Sequence, residues 1–221
     1  MPDEENVAQD FDRFLQNCRI DGKDRSFSTA LSGQDVFLAD QMICNNLSFC
    51  LVEFKGVPSD IFHESRKNLR RLLCQEFAND DTLLDYHSLC HHIAWYEHSN
   101  ILLDIYSNQV CNSRVFKKSD CAVEKINLIG GRPITCKDYV RNLIETESGV
   151  GLNPEAFQYY IDKLYELAGT ESSELRLLAS DPGVGVFERR YFSTVKDLHD
   201  WYKEFYAINF PKISPYQGPT P

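Results

Sequence analysis

Apolar residues first recur at helical spacing in residues 4–18, where Val7, Phe11, Phe14, Leu15 and Cys18 predict an amphipathic helix. The polar run DGKDRSFSTALSGQ then reads as a loop. Residues 36–44 and 47–55 are dense in β-branched, aromatic and aliphatic side chains, and Asn45-Asn46 between them suits a two-residue turn because Asn tolerates positive φ. These features predict a β-hairpin. A long helix follows from Ser59 as cap to Phe77, with Ile61, Phe62, Leu69, Leu72, Leu73 and Phe77 as its buried stripe. Residues 90–97 and 101–107 read as a second hairpin around His98-Ser99-Asn100, although the run from Leu83 to Glu97 also has helical character.

Later in the chain, Thr135 caps a helix from Cys136. A second helix starts with Asn153 as cap and Pro154 in its first turn, and stops at Gly169. Residues 175–180 and 186–192 flank DPGVG as a hairpin, and Thr194 with Asp197 opens a last helix before a proline-rich tail. The pattern predicts an α/β fold: a mixed central sheet flanked by helices over residues 1–120, and a mostly helical region over 121–221 that packs on this core or partners it.

Composition changes this picture little. Of 221 residues, 43% are hydrophobic and 25% charged, which is ordinary for a globular chain with its own core. No run reaches membrane-span length and the start has no apolar leader, so the expectation is an intracellular, cytoplasmic protein. The eight cysteines form no CxxC pair and are expected reduced.

Charge matters more. The net charge of −10 argues against a nonspecific nucleic-acid coat. The excess acid sits at the ends, however, and residues 13–144 are balanced.

The chemistry centres on ADQMICNNLSFCLVEFKG, an apolar stretch carrying Asp40, Glu53 and Lys55. With Asn45-Asn46 as the turn, Cys44 pairs with Leu47 and Asp40 lies opposite Leu51. Glu53 is then the diagonal neighbour of Asp40 on the same face, Lys55 shares that face, and Asp35 falls on the other. Two carboxylates meeting in a partly buried place repel unless neutralised. Lys55 offsets one charge, and a hard divalent cation suits the remainder.

An Asp, twelve intervening residues and an apolar strand ending in Glu-Phe-Lys resembles the PD-(D/E)XK, or restriction-endonuclease-like, nuclease superfamily. The acidic helix before the hairpin and the basic helix after it resemble that family's α-β-β-β-α-β core. Ala39 stands where many members carry Pro. The resemblance implies that Asp40 and Glu53 bind Mg²⁺, with Mn²⁺ as a substitute, and that the Phe54 carbonyl adds a ligand. Lys55 would orient or help deprotonate the attacking water and stabilise the phosphorane-like charge. Glu5, Asp10 and Asp12 are the candidates for a further acid from the first helix.

Arg66, Lys67, Arg70 and Arg71, with a second cluster of Arg114, Lys117 and Lys118, are candidate contacts to DNA or RNA; a solvated helix face is the competing reading. His87, Cys90, His91, His92 and His98 fit no common zinc spacing. The glycine-containing turns lack the phosphate-loop pattern GxxxxGK[ST]. Two functions remain: a Mg²⁺-dependent nuclease, which as a homodimer could cut both strands, or a catalytically silent nuclease-like subunit that docks a protein partner through the acidic C-terminal region. A purely structural protein is a third, weaker class.

Overall fold

The computed structural model describes residues 3–17, 26–30, 39–45, 48–116, 131–144, 150–169, 175–180 and 187–192, together with residues 200 and 204. Apart from positions 200 and 204, the predicted C-terminal helix lies outside these residues, as does the Lys117–Lys118 pair.

Helix α1 (Glu4–Asn17) is followed by strands β1 (Ser26–Ala30), β2 (Gln41–Asn45) and β3 (Ser48–Lys55). A 3₁₀ segment (Pro58–Arg66) leads to α2 (Asn68–Glu76), α3 (Asp81–Cys90), β4 (His91–Glu97), β5 (Asn100–Ile105), α4 (Tyr106–Val110), β6 (Ile134–Thr135), α5 (Cys136–Ile144) and α6 (Pro154–Ala168). Strands β7 (Leu175–Ser180) and β8 (Phe187–Phe192) form a separate antiparallel hairpin.

The main sheet has the order β1-β2-β3-β4-β5-β6. All its neighbours are antiparallel except β3 and β4, which run parallel. A parallel pair needs a crossover connection, and the 3₁₀ segment, α2 and α3 supply it. This is a mixed α/β sheet with helices on both faces. On one face, Val7 and Phe11 of α1 and Tyr139, Val140 and Leu143 of α5 cover Cys50, Val52 and Phe54. On the other, Leu73 and Phe77 of α2, Leu83 of α3, and Phe157 and Ile161 of α6 cover Met42, Phe49 and Leu51. Strand β3 is therefore apolar on both faces, as a central covered strand must be.

Four expectations are corrected. The polar loop contains β1, which pairs with β2; an edge strand needs backbone pairing on one side only and little apolar sequence. The first turn is displaced by one residue, since Asn45 pairs with Ser48 instead of joining the turn. The predicted helix over 59–77 is two pieces broken at Lys67, whose backbone is extended. Its entry is capped by Asp60, which accepts the Val57 N–H at 3.1 Å, and Phe62 is 55% exposed instead of buried. Finally, Cys74 is disulfide-bonded, whereas Cys50, Cys90, Cys111 and Cys136 are free thiols.

Local signals elsewhere hold. His98 and Ser99 both take positive φ between β4 and β5, as a tight right-twisted hairpin requires. Thr135 accepts the Asp138 N–H and Asn153 the Ala156 N–H, and Gly169 closes α6 in the left-handed conformation. The region after residue 130 is stitched into the core. Leu152 exchanges two backbone hydrogen bonds with Phe49, beside the start of β3 where β4 has not yet begun. No helix among the described residues is long and apolar enough to cross a membrane.

Candidate functional site

The β3 strand fixes where Glu53 and Lys55 go. Gln41 and Val52 form the last pair of the β2–β3 ladder, and Asp40 lies just beyond it beside Phe54. Sliding the turn by one residue shifts the pairing by two positions. Parity within the ladder is unchanged, but alternation ends at Gln41, since Ala39 packs on the same face as Met42. Asp40 stands just before β2, and its Oδ2 accepts the Phe54 N–H at 2.6 Å in place of a ladder bond. The N–H and C=O of one strand residue project to the same side, so the Phe54 carbonyl faces this open ladder end too.

Glu53 and Lys55 are buried at the C-terminal end of β3. Lys55 Nζ lies 2.7 Å from Glu53 Oε1, 3.2 Å from Glu64 Oε1 and 3.2 Å from Glu4 Oε1. Lys67 Nζ lies 2.5 Å from Glu53 Oε1 and 3.1 Å from Glu64 Oε1. Arg70 reaches both acids from beneath, with Nη2 3.6 Å from Glu53 Oε2 and Nε 3.5 Å from Glu64 Oε2. Tyr106 donates a short hydrogen bond to Glu64 Oε2, and its ring lies under the Arg70 guanidinium, 5.0 Å away. Three-residue spacing unites Ile61, Glu64, Lys67 and Arg70. A 3₁₀ turn eclipses residues three apart, which sets Ile61 and Glu64 inward together.

The electrostatics separate the carboxylates. Burial raises the Asp40 carboxyl to about 7, with the Glu53 charge adding to the rise and the Phe54 N–H and the Lys55 and Lys67 charges opposing it. Burial would likewise raise Glu64, but Lys55, Lys67 and Arg70 outweigh it and hold Glu64 down at about 2. Burial works to lower Lys55, yet Glu53 and Glu64 overcome it and keep the ammonium protonated well above its ordinary range. Lys55 is thus a fixed cation, not a base.

The residues fit a hard divalent cation in one respect and resist it in another. Asp40 and Glu53 crowd each other, and buried Glu53 Oε2 has no hydrogen-bond donor. A cation would resolve both. Glu53 Oε1, however, is already held by two ammonium groups. Among the described residues no three His, Cys, Asp or Glu side chains are grouped to hold a metal by themselves, so a main-chain ligand such as the Phe54 carbonyl would be needed.

The α1 acid that reaches the cluster is Glu4, 3.2 Å from Lys55 Nζ, while the three candidates have other partners. Glu5 accepts from Gln9, Asp10 accepts from Tyr96 and Arg13, and Asp12 accepts from Gln41. Glu4 lies three and seven residues before Val7 and Phe11, on the stripe that faces the sheet, and that spacing was the available signal. Glu64 gave no comparable signal, because an acid inside a basic helix reads as a solvated charge.

The basic candidates divide. Lys67 and Arg70 turn inward to the acids, and Arg70 is fully buried, so it presents no surface to a nucleic acid. Arg66 and Arg114 are exposed, and Arg71 is half-buried beside Asn68. His87, His91 and His92 are core residues, whereas His98 is exposed in the β4–β5 turn. Tyr160 OH bridges His87 Nδ1 and His91 Nδ1 at 2.7 Å each, while His92 meets Tyr139 on the other face. Burial holds all three histidines below their ordinary pKa, hence neutral. The chain matches no model of a known protein family, no curated protein and no solved structure.

Proposed function

We propose that the protein is a Mg²⁺-dependent, phosphodiester-hydrolysing nuclease of the PD-(D/E)XK type, acting at Asp40, Glu53 and Lys55. The observation that carries this reading is the buried Glu53–Lys55 pair at the end of β3, with Asp40 hydrogen-bonded to the N–H of Phe54 between them. The succession of α1, three antiparallel strands, crossover helices and a parallel β4 supports it, since the family core runs α-β-β-β-α-β.

Asp40, Glu53 and the Phe54 carbonyl would hold the cation, with Mn²⁺ able to replace Mg²⁺. The cation would hold and polarise the attacking water and supply positive charge for the developing oxyanion. Lys55, permanently protonated, orients the nucleophile and stabilises negative charge on the phosphate. Glu4 and Glu64 hold its ammonium in place. Asp40 must ionise first, which favours activity above about pH 7.

One observation favours a second reading, the catalytically silent nuclease-like subunit with a protein partner. Lys67 and Lys55 already neutralise Glu53. The two readings separate in a cleavage assay on single- and double-stranded DNA and RNA with Mg²⁺ or Mn²⁺. Cleavage by the native chain that falls at least a hundredfold in both Asp40→Asn and Lys55→Ala supports the nuclease. Cleavage surviving in both variants removes the site assignment, and none by the native chain with either metal supports the silent subunit.

A further inference from the structure

Beside the charged cluster, the described residues form a cleft of about 540 Å³. Pro58, Ile61 and Phe62 of the 3₁₀ segment make one wall, and Asn108, Gln109 and Arg114 of α4 and the turn after it make the other. Its two walls are the elements that hold the cluster from behind: Glu64 is one turn beyond Ile61, and Tyr106 opens α4. Ile61 packs with Ile93, Trp95 and Tyr106, so the 3₁₀ segment is anchored while Phe62 is left outside.

The exposure of Phe62 is unusual for its chemistry. It is 55% exposed, the most exposed large apolar side chain among those described, in a segment whose neighbours at 61 and 64 are buried. The opposite wall is polar and ordered. Asn108 and Gln109 both donate to Asp104, at 3.0 and 2.7 Å, which fixes the amide groups and leaves each side-chain carbonyl oxygen as an acceptor. Asn112 accepts the Arg114 and Val115 N–H groups and sets the turn that carries the Arg114 side chain. Arg114 is exposed, and Arg66 and His63 are exposed on the 3₁₀ segment. An aromatic face, fixed carbonyl acceptors and a free guanidinium are the parts that receive an unpaired base and its phosphate.

We infer that this cleft binds an unpaired nucleotide of a single-stranded nucleic acid, with the base against Phe62, its amino or imino edge toward Asn108 and Gln109, and a phosphate on Arg114. The inference rests on the nuclease reading for its place in a reaction and gives that reading a substrate class. Pro58 follows Lys55 by three residues, so their Cα atoms are at most about 11 Å apart. That span is on the scale of one or two nucleotides, and the cleft would take a nucleotide adjoining the scissile phosphate. A base inside a duplex has its edges paired and its faces stacked, so a duplex would not enter.

The test is fluorescence anisotropy of the full chain with short fluorescein-labelled oligothymidylate, oligouridylate and a blunt duplex, in EDTA so that no cleavage occurs. Single strands should bind at least tenfold tighter than the duplex. Phe62→Ala should weaken the single strand roughly 5- to 150-fold, the range for losing one base–aromatic stack. Phe62→Trp should retain binding, and Arg114→Ala should weaken binding and flatten its salt dependence. The preferred sugar identifies DNA or RNA as the source of the nucleotide. Phe62 is exposed, so its truncation does not threaten the fold, and circular dichroism checks this. Equal binding of duplex and single strand, no binding at all, or native affinity in both Phe62→Ala and Arg114→Ala overturns the inference. Tight single-strand binding without cleavage under either metal would leave this inference standing and defeat the nuclease reading.

Discussion

Two carboxylates on one patch behave oppositely. Asp40 accepts the Phe54 N–H and feels the charges of Lys55 and Lys67, but burial and Glu53 outweigh them and raise it to about 7. Glu64 is ringed by Lys55, Lys67 and Arg70, so it stays ionised down to about pH 2. The native metal-free protein binds a proton at Asp40 that the unfolded chain has released. Stability therefore falls as pH rises from about 4 to 7, and Asp40→Asn should flatten that slope. Urea melts should show the variant more stable than the native chain by about 2 kcal/mol at pH 8. Each tenfold change in proton affinity is worth ~1.4 kcal/mol, and solvent around the partly exposed carboxyl screens some of it. Glu64 has the opposite sign: its contribution is complete above about pH 4.5 and is lost as pH falls toward 2. Glu64→Gln leaves Arg70 and Lys55 short of a buried partner and should cost roughly 3–5 kcal/mol at pH 7 in the same melts. That Glu53 and Lys55 share a face was legible from strand parity alone, because residues two apart point the same way. Glu64 was not legible, because its ionisation depends on tertiary partners.

Among the elements, the break at Lys67 is what lets one segment serve two surfaces. A continuous α-helix would turn Glu64, Lys67 and Arg70 progressively away from one another; the 3₁₀ turn followed by one extended residue brings all three to Glu53 or its neighbours. Lys67 occupies the acid that a metal would use. Lys67→Met should therefore raise Mn²⁺ affinity severalfold, measured by calorimetry, if Glu53 is a ligand. Gly151 donates to the Leu89 carbonyl of α3 at 2.7 Å, and the adjoining Leu152 pairs with Phe49 of β3. The φ of Gly151 is +91°, and an added Cβ would stand 2.9 Å from the Ser48 Cβ. Gly151→Ala should destabilise the protein by about 2 kcal/mol in a thermal melt through strain and that contact. The caps at Thr135, Asn153 and Gly169 were readable because they are local chemistry. The helix break was not, since hydrophobic spacing of 3.6 and of 3 differ little over two turns and the deciding contacts lie on β3.

For the whole molecule, the sheet needs the second half of the chain. Tyr139, Val140 and Leu143 cover one face and Phe157, Ile161 and Leu164 the other, so a boundary near residue 120 would strip both. A chain truncated to residues 1–120 should lose its cooperative thermal transition and bind hydrophobic dye. The proposed function stands or falls on a divalent cation held between Asp40 and Glu53. The decisive measurement is calorimetric titration of the full chain with Mn²⁺ at pH 6, in two buffers of different ionisation enthalpy. Saturable binding should release close to one proton, with affinity rising about tenfold per pH unit up to about 7. Glu53→Gln should abolish the binding, and Asp40→Asn should remove its proton release. No binding by the native chain, or binding that both variants retain unchanged, would refute the cation site.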